Sequence, residues 1–234
     1  MFHVKQSLIL FALVKLIAKD ASMPKTVLER SRDSFVKEIC PDPQTLARFD
    51  AYAALLIQWQ RVINLVGRRT LSALWDRHFL DSAQLYRYLP GSAKTLIDIG
   101  SGGGFPGLVL AILIARAGGP SVTLIESDGR KATFLGEVNR ICNAGAQVFN
   151  GRAESADLIP ADVVTSRACA PLCRLFPLVH QCLQPNGVAF LLKGANWRDE
   201  LTAAEKDWKI QIKEIPSLTD TSGVILRLEG LNPI

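Results

Sequence analysis

The stretch Thr95-Leu-Ile-Asp-Ile-Gly-Ser-Gly-Gly-Gly-Phe-Pro-Gly107 decides how this 234-residue chain is read. A short apolar run, Leu96 to Ile99, is broken only by Asp98. Glycines at 100, 102, 103, 104 and 107 then surround Phe105 and Pro106, and a second apolar segment runs from Leu108 to Ala115. The pattern predicts a buried strand, a tight turn and the start of a helix. Glycine suits such a turn because it reaches positive φ and lets a ligand approach the backbone. The helix that follows aims free N–H groups and a positive dipole end at whatever lies above the strand. That edge is where open α/β sheets bind ligands.

A glycine turn alone is a weak signal, so the next strand matters. Ser121-Val-Thr-Leu-Ile-Glu126 is a second apolar run ending in a carboxylate. In nucleotide-binding sheets an acid at this place, about 20 residues past the glycines, accepts hydrogen bonds from ribose hydroxyls. The alternative is a solvated strand end.

The length allows one domain with a full core and a small appendage. At 48% hydrophobic and 21% charged residues the composition is that of a globular chain, not a disordered one. A net charge of +5 permits a nucleic-acid partner without requiring it. The five cysteines are odd in number and contain no Cys-x-x-Cys pair. Cys169 and Cys173 could share a helix face, but no nearby His or Cys pair completes a metal site, so no metal is expected. Buried free thiols in a reducing cytosol are expected instead. Ser7 to Ala18 is apolar behind Lys5, in the manner of a signal segment. Lys15 interrupts it, it is too short to span a bilayer, and no small-x-small cleavage site follows. Residues 1–25 are therefore expected to be an extension, disordered or a non-native start with Met23 as the working start. The protein is expected to be cytoplasmic, with no membrane partner.

Residues 26–92 read as a helical cap. A short helix covers 26–38, Cys40-Pro-Asp-Pro43 breaks it, and a long helix runs from Asp42 or Pro43 to Ile63. A turn with Gly67 leads to a third helix, capped by Thr70 or Ser72 and ending at Leu89. From Thr95 strands (95–99, 121–126, about 146–149, 161–165, 187–192) alternate with helices (about 106–117, 129–143, 171–183, 197–208), and the short connections favour parallel strands with right-handed crossovers. In the tail, 209–215 alternates at period two, and 224–228 follows a polar turn containing Asp220 and Gly223. That predicts an antiparallel pair at a sheet edge. Residues 93–234 thus form one α/β unit with the cap.

A glycine turn plus an acid serves nicotinamide dinucleotides and S-adenosylmethionine alike. Here the strict Gly-x-Gly-x-x-Gly spacing fails, because Phe stands at 105. The first strand follows a helical cap, and the last strand pair resembles the antiparallel edge of the class I methyltransferase sheet. No Gly-Lys-Ser/Thr follows the glycines, which excludes a P-loop.

Six segments, in order, resemble the bacterial ribosomal RNA small-subunit methyltransferase G family, also called glucose-inhibited division protein B. They are Trp59-Gln-Arg-Val-Ile-Asn-Leu65, Arg77-His-Phe-Leu-Asp-Ser82, Asp98-Ile-Gly-Ser-Gly-Gly-Gly-Phe-Pro-Gly107, Arg130-Lys-Ala-Thr-Phe-Leu135, Ser166-Arg-Ala168 and Leu192-Lys-Gly194. The likeness spans roughly residues 45–200. It implies a class I S-adenosylmethionine-dependent methyltransferase: a Rossmann-like, mostly parallel seven-stranded sheet with an antiparallel C-terminal edge and an N-terminal helical cap. It implies methyl transfer from S-adenosyl-L-methionine to N7 of a single guanine, usually numbered 527, in 16S rRNA. The substrate would be that RNA, the small ribosomal subunit or an assembly intermediate, and the enzyme a monomer. By the same resemblance Gly100, Gly102, Gly104 and Phe105 are cofactor contacts, Ala153 and Glu154 lie beside the adenine, Arg167 stands at the mouth of the site, and Glu126 serves the ribose.

Guanine N7 has an exposed lone pair and no proton, so attack on a sulfonium methyl needs alignment and exclusion of water but no general base. Where amino-methylating enzymes usually carry Asn/Asp-Pro-Pro-Tyr/Phe, this chain has Ser166-Arg-Ala-Cys-Ala-Pro171, and Cys169 lacks the Pro-Cys context of a cytosine-C5 nucleophile. No catalytic residue is assigned. Arg167, Lys193, His78 and Asp81 are positioning candidates. His78 and Asp81, three apart, share a helix face and either form a packing hydrogen bond or face substrate and cofactor. Lys193 makes a phosphate or base contact, or a local ion pair. Arg61, Arg68, Arg69 and Arg77 are phosphate contacts or solvated charges. Trp59, Trp75 and Phe79 read as core. The alternatives are an NAD-dependent oxidoreductase and a non-catalytic nucleotide-binding regulator.

Overall fold

The computed structural model describes residues 25–167 and 169–234; the expectations for the N-terminal extension and Met23 lie outside the described residues. The cap opens with α1 (Lys25–Ile39) and α2 (Pro43–Trp59). Asp42 caps α2 by accepting from the backbone N–H groups of Gln44 (3.0 Å) and Thr45 (3.2 Å), while Pro43 occupies a first-turn position that needs no donor. The helix stops short of the expected Ile63. At Gln60 the side-chain amide takes over the backbone instead: Oε1 accepts from Leu65 and Val66 N–H (2.9 and 3.0 Å), and Nε2 donates to the Val66 carbonyl (2.9 Å). Those bonds fold residues 60–66 into a loop that a further helical turn would destroy.

The third cap helix is also not regular. Arg68–Ala73 and Gln84–Tyr88 are 3₁₀ turns, and between them lie a π-helical turn at Trp75–Leu80 and one α turn at Asp81–Ala83. A π turn fits an extra residue into the helix. Here it buries Trp75 and Phe79 in the core while His78 and Asp81 reach the ligand edge of the sheet. Phe79 meets Phe49, Tyr52, Trp75 and Phe105 at centroid distances of 5.5, 5.1, 4.9 and 5.6 Å, in the edge-on or tilted geometry aromatic rings favour. Tyr52 stacks on Phe105 at 5.6 Å, and its hydroxyl donates to the Gly103 carbonyl. The glycine turn is thus seated on cap aromatics, and cap and sheet share one hydrophobic cluster.

The strands are β1 (Thr95–Ile99), β2 (Ser121–Glu126), β3 (Gln147–Asn150), β4 (Ala161–Arg167), β5 (Leu183–Lys193), β6 (Trp208–Pro216) and β7 (Val224–Pro233). They form one sheet in the order β3-β2-β1-β4-β5-β7-β6. The first five are parallel, and β7 runs antiparallel to both β5 and β6. Strands β5 and β7 are longer than expected: β5 already pairs with β4 at Leu183 opposite Ala161, and β7 continues to pair with β6 as far as Pro233 opposite Trp208. The sheet helices are α3 (Gly107–Ala117), α4 (Gly129–Cys142), α5 (Leu172–Cys182) and α6 (Trp197–Ala204), the last shortened because Trp208 already opens β6. Strand order reverses between β1 and β4, which brings Asp98, Glu126 and Arg167 to one edge, the place where doubly wound sheets bind ligands. The expectation of buried thiols holds for Cys142 and Cys182 and fails for Cys40, Cys169 and Cys173, which are exposed. Among the described residues no helix is long and apolar enough to cross a membrane, and no group of His, Cys, Asp and Glu could hold a metal ion.

Because Phe79 sits where cap and sheet meet, Phe79→Ala is expected to lower stability by about 3–5 kcal/mol. Tryptophan fluorescence and far-UV circular dichroism should then report one coincident urea transition. Two separate transitions would show that cap and sheet do not depend on a common core.

Candidate functional site

A cleft of about 560 Å³ opens at the carboxyl edge of β1, β2 and β4, a size suited to a small-molecule cofactor. One wall is the loop Leu65–Gly67 with Thr70, and the floor is Gly100–Gly103 with Phe105. Glu126, Arg167 and Lys193 come from strand ends, and Ser217, Asp220 and Gly223 from the β6–β7 loop.

Glu126 is buried, and both its oxygens are engaged by backbone: Oε2 accepts from Gly102 N–H and Oε1 from Asp128 N–H, each at 2.8 Å. The first bond fixes the tip of the glycine turn. A carboxylate has about four acceptor positions, so each oxygen keeps capacity for a donor from the cleft. Beneath the turn Asp98 is fully buried, and Thr165, its register partner on β4, donates to Oδ1 at 2.8 Å. Burial pushes the Asp98 carboxyl up to about 6.

The glycines divide by what they face. A Cβ at Gly100 would strike the Cys169 sulfur, and one at Gly104 the Tyr52 hydroxyl; one at Gly107 would come within 2.5 Å of Asp98 Cβ. These three answer to packing within the protein. At Gly102 (φ +56°) the nearest atom is the Gly100 carbonyl oxygen at 3.8 Å, so a side chain there would extend into the cleft. The space beside Gly102 is a cradle that a Cβ would fill, and together with the acceptors of Glu126 it fits S-adenosylmethionine.

Arg167 is the centre of the opposite wall. Its Nη1 donates to the Arg77 carbonyl (2.9 Å) and pairs with Asp81 Oδ2 (3.3 Å), Nη2 donates to His78 Nδ1 (2.8 Å), and the guanidinium lies 4.8 Å from the Phe105 ring centroid. Burial works against its charge, and Asp81 is the chief offsetting group. An arginine always donates, so His78 Nδ1 accepts and Nε2 carries the ring proton, placed 2.7 Å from Thr70 Oγ1. Burial, reinforced by Arg167 and Arg77, pushes His78 down to about 3 and keeps it neutral. Asp81 Oδ1 accepts from Thr219 Oγ1 (2.7 Å) and Gln84 Nε2 (3.0 Å), and Arg77 pairs with Asp220 at 2.7 Å, so the β6–β7 loop is fastened to the cap. Lys193 lines the cleft while its Nζ pairs with Glu200 (2.6 Å) and donates to the Ala170 carbonyl (3.0 Å).

The structure thus gathers Gly100, Gly102, Phe105, Glu126, Arg167, His78, Asp81 and Lys193 around one cleft. Gly104 lies below it, against Tyr52 and Leu108. Ala153 is buried and Glu154 exposed in a short turn after β3, and neither lines the cleft. Sequence reasoning missed Ser217, Asp220, Thr70 and the Leu65–Gly67 wall. The polar turn before β7 was the one signal for them, but its partners Arg77 and Asp81 are far away in sequence.

Comparison with known proteins finds relatives over most of the chain. The profile of a family described as rRNA small subunit methyltransferase G matches residues 45–224. A relative from Rhodospirillum centenum, named ribosomal RNA small subunit methyltransferase G, is 52% identical over 190 residues, covering 81% of this chain and 86% of its own. One of the same name from Paramagnetospirillum magneticum is 48% identical, covering 81% and 90%. Among solved structures, an O-methyltransferase from Bacillus cereus in complex with SAH superposes with a TM-score of 0.54 at 13% identity, covering 84% of this chain and 96% of that one. A ribosomal protein L11 methylase from Lactobacillus delbrueckii gives 0.53 at 13%, covering 70% and 80%. At these identities the two structures share the fold alone.

Two glycine variants should separate binding from folding. Gly102→Ala is expected to cost only ~1–2 kcal/mol of stability from its positive φ while calorimetry shows S-adenosylmethionine affinity largely lost. Gly104→Ala is expected to lose ~2–3 kcal/mol by crowding Tyr52 and Leu108; equal effects of the two on stability would refute the division. His78 sets a pH dependence. Below its ordinary 6.5 the unfolded chain takes up a proton that the fold refuses until about 3, so stability falls as pH drops through that window. Asp98, raised in the fold, acts with the opposite sign but is common to wild type and His78→Gln. Urea titrations at about pH 7 and about pH 4.5 should therefore show wild type losing ground to His78→Gln on acidification.

Proposed function

The chain belongs to the rRNA small subunit methyltransferase G family, and from that membership we propose that it transfers a methyl group from S-adenosyl-L-methionine to N7 of a single guanine, usually numbered 527, of bacterial 16S rRNA. It is an S-adenosylmethionine-dependent methyltransferase acting on small-subunit rRNA, and family membership takes the place of the oxidoreductase and regulator alternatives. In this reading it works as a monomer in the cytoplasm, on the RNA, the subunit or an assembly intermediate. The cap (26–92) and the sheet (93–234) act as one unit.

The observation that carries N7 as the acceptor is that each candidate base around the cleft is already committed. His78 is neutral and accepts from Arg167. Asp81 is held by Arg167, Thr219 and Gln84, and Glu126 by two backbone N–H groups. A nucleophile that brings its own lone pair needs none of them. Bound S-adenosylmethionine supplies an electrophilic methyl on a sulfonium. The residues of this chain bind and orient. Glu126 offers its remaining acceptor positions to ribose hydroxyls. Gly100, Gly102 and Phe105 line the cradle, and Gly104 supports it from below by making room for Tyr52. Arg167, held by Asp81 and His78, fixes the mouth of the site, where a misplacement of about 1 Å can cost about 10²-fold in rate. Lys193 positions through its ion pair with Glu200, steadying the segment after β4.

Small-subunit RNA from cells lacking the protein should lack 7-methylguanine at one position and regain it when purified protein and S-adenosylmethionine are added. A methyl group restored at another atom of the guanine would overturn N7; no restored methyl would overturn the substrate. Arg167→Lys keeps the charge but loses the fork that bridges Asp81, His78 and the Arg77 carbonyl. It is expected to fold and to lower kcat/KM by roughly 10–100-fold, and unchanged kinetics would remove Arg167 from the site.

A further inference from the structure

Arginines on this protein are mostly matched. Arg32 pairs with Asp50, Arg87 with Glu38, Arg116 with Asp42 and Arg140 with Glu137, and at the cleft Arg77 and Arg167 pair with Asp220 and Asp81. Arg68 and Arg69, like Arg48, Arg152 and Arg174, stand outside that pattern, and they alone of these are neighbours in the chain. Both are exposed, and among the described residues neither meets a carboxylate. Being adjacent, they place two positive charges side by side on the surface, where a polyanionic partner would be attracted.

Their position is not arbitrary. The residues on either side of the pair, Gly67 and Thr70, both line the cleft. The turn between them is held closed: Thr70 N–H and Thr70 Oγ1 both donate to the Gly67 carbonyl, at 2.9 and 2.8 Å. His78 Nε2 then donates to that same Thr70 hydroxyl, and its Nδ1 accepts from Arg167. The backbone that carries Arg68 and Arg69 is therefore fastened, through one imidazole, to the guanidinium over Phe105.

We infer that the Gly67–Thr70 turn is a clamp for RNA backbone phosphates, with Arg68 and Arg69 gripping the strand beside the guanine that enters the cleft. The inference rests on the RNA-methyltransferase reading and says where the RNA lies. A base can reach a pocket of this kind only when splayed out of its strand, which leaves the flanking phosphates at the rim. Guanidinium groups match phosphate oxygens in charge and geometry. A turn fixed in advance loses less freedom on binding than a mobile one.

The test uses the full protein, unmethylated in vitro transcribed 16S rRNA and S-adenosylmethionine. The double variant Arg68→Ala/Arg69→Ala is expected to bind S-adenosylmethionine as wild type does, while its RNA affinity at about 0.1 M salt falls by roughly 10-fold. The slope of log affinity against log salt should shrink by about 1.4, or about 0.7 for each single-strand phosphate that goes without its arginine. KM for RNA should rise with kcat unchanged, and Arg140→Ala, with its charge already matched, should alter none of these. If wild type methylates the RNA and the double variant binds it with the same affinity and slope, the clamp is wrong and the methyltransferase reading stands. If the double variant loses S-adenosylmethionine binding, the turn serves the cofactor and the clamp is again wrong. Should wild type neither bind nor methylate the RNA, both fall together.

Discussion

A guanidinium shut away from solvent has to be answered on every side. Arg167 is answered by a carboxylate, a carbonyl, an imidazole nitrogen and an aromatic face. Its side chain is 15% exposed and that of Asp81 17%, so neither charge is left to water to satisfy. Such a pair gives little net stability, because desolvation consumes most of the Coulomb gain. What it enforces is arrangement. Strand β4 ends at Arg167, the π turn of the cap brings Arg77 and His78, the α turn after it brings Asp81, and the glycine turn brings Phe105. Asp81 passes the constraint on to Thr219 and so to the β6–β7 loop. Moving any one of these pieces alone would strand a buried polar group, which explains why the walls of the cleft hold one relative position.

The sheet was legible because its signals are local. Apolar runs of strand length, glycines after β1 and an acid closing β2 each lie within a few residues, and they located the cleft and most of its floor. The antiparallel edge was legible from the period-two alternation of 209–215. The cap was only half legible. Its helices follow from apolar spacing, but the break at Gln60 depends on a side-chain amide choosing Leu65 and Val66 over solvent, and the π turn on five aromatic rings finding room together. Neither choice leaves a periodic trace. The fastening of Asp220 to Arg77 and of Thr219 to Asp81 joins residues more than a hundred positions apart, which a single sequence does not record.

The glycine motif shows the same limit at finer scale. As letters, Gly100, Gly102 and Gly104 are equivalent, and the sequence assigns all three to the cofactor. In three dimensions Gly100 makes room for Cys169 and Gly104 for Tyr52, and Gly102 opens on the cleft. A motif in a sequence is thus a superposition of packing and binding demands that only neighbouring atoms separate. Lys193 is a similar case: its place at the end of β5 left a phosphate contact and an ion pair both open, and Glu200, outside any motif, decides its partner.

The strand order carries a consequence for how the protein comes to be made. β7 lies between β5 and β6, although it follows both in the chain, and among the described residues β6 pairs with no other strand. During synthesis, β1 to β5 can assemble as soon as they emerge, but β5 then presents Ala189–Lys193 as an open, largely apolar edge until β7 arrives. Open edges invite pairing with foreign strands. The chain between residue 193 and the start of β7 is rich in charge, with Arg198, Asp199, Glu200, Glu205, Lys206, Lys209 and Lys213, the kind of sequence that flanks strands which would otherwise invite such pairing.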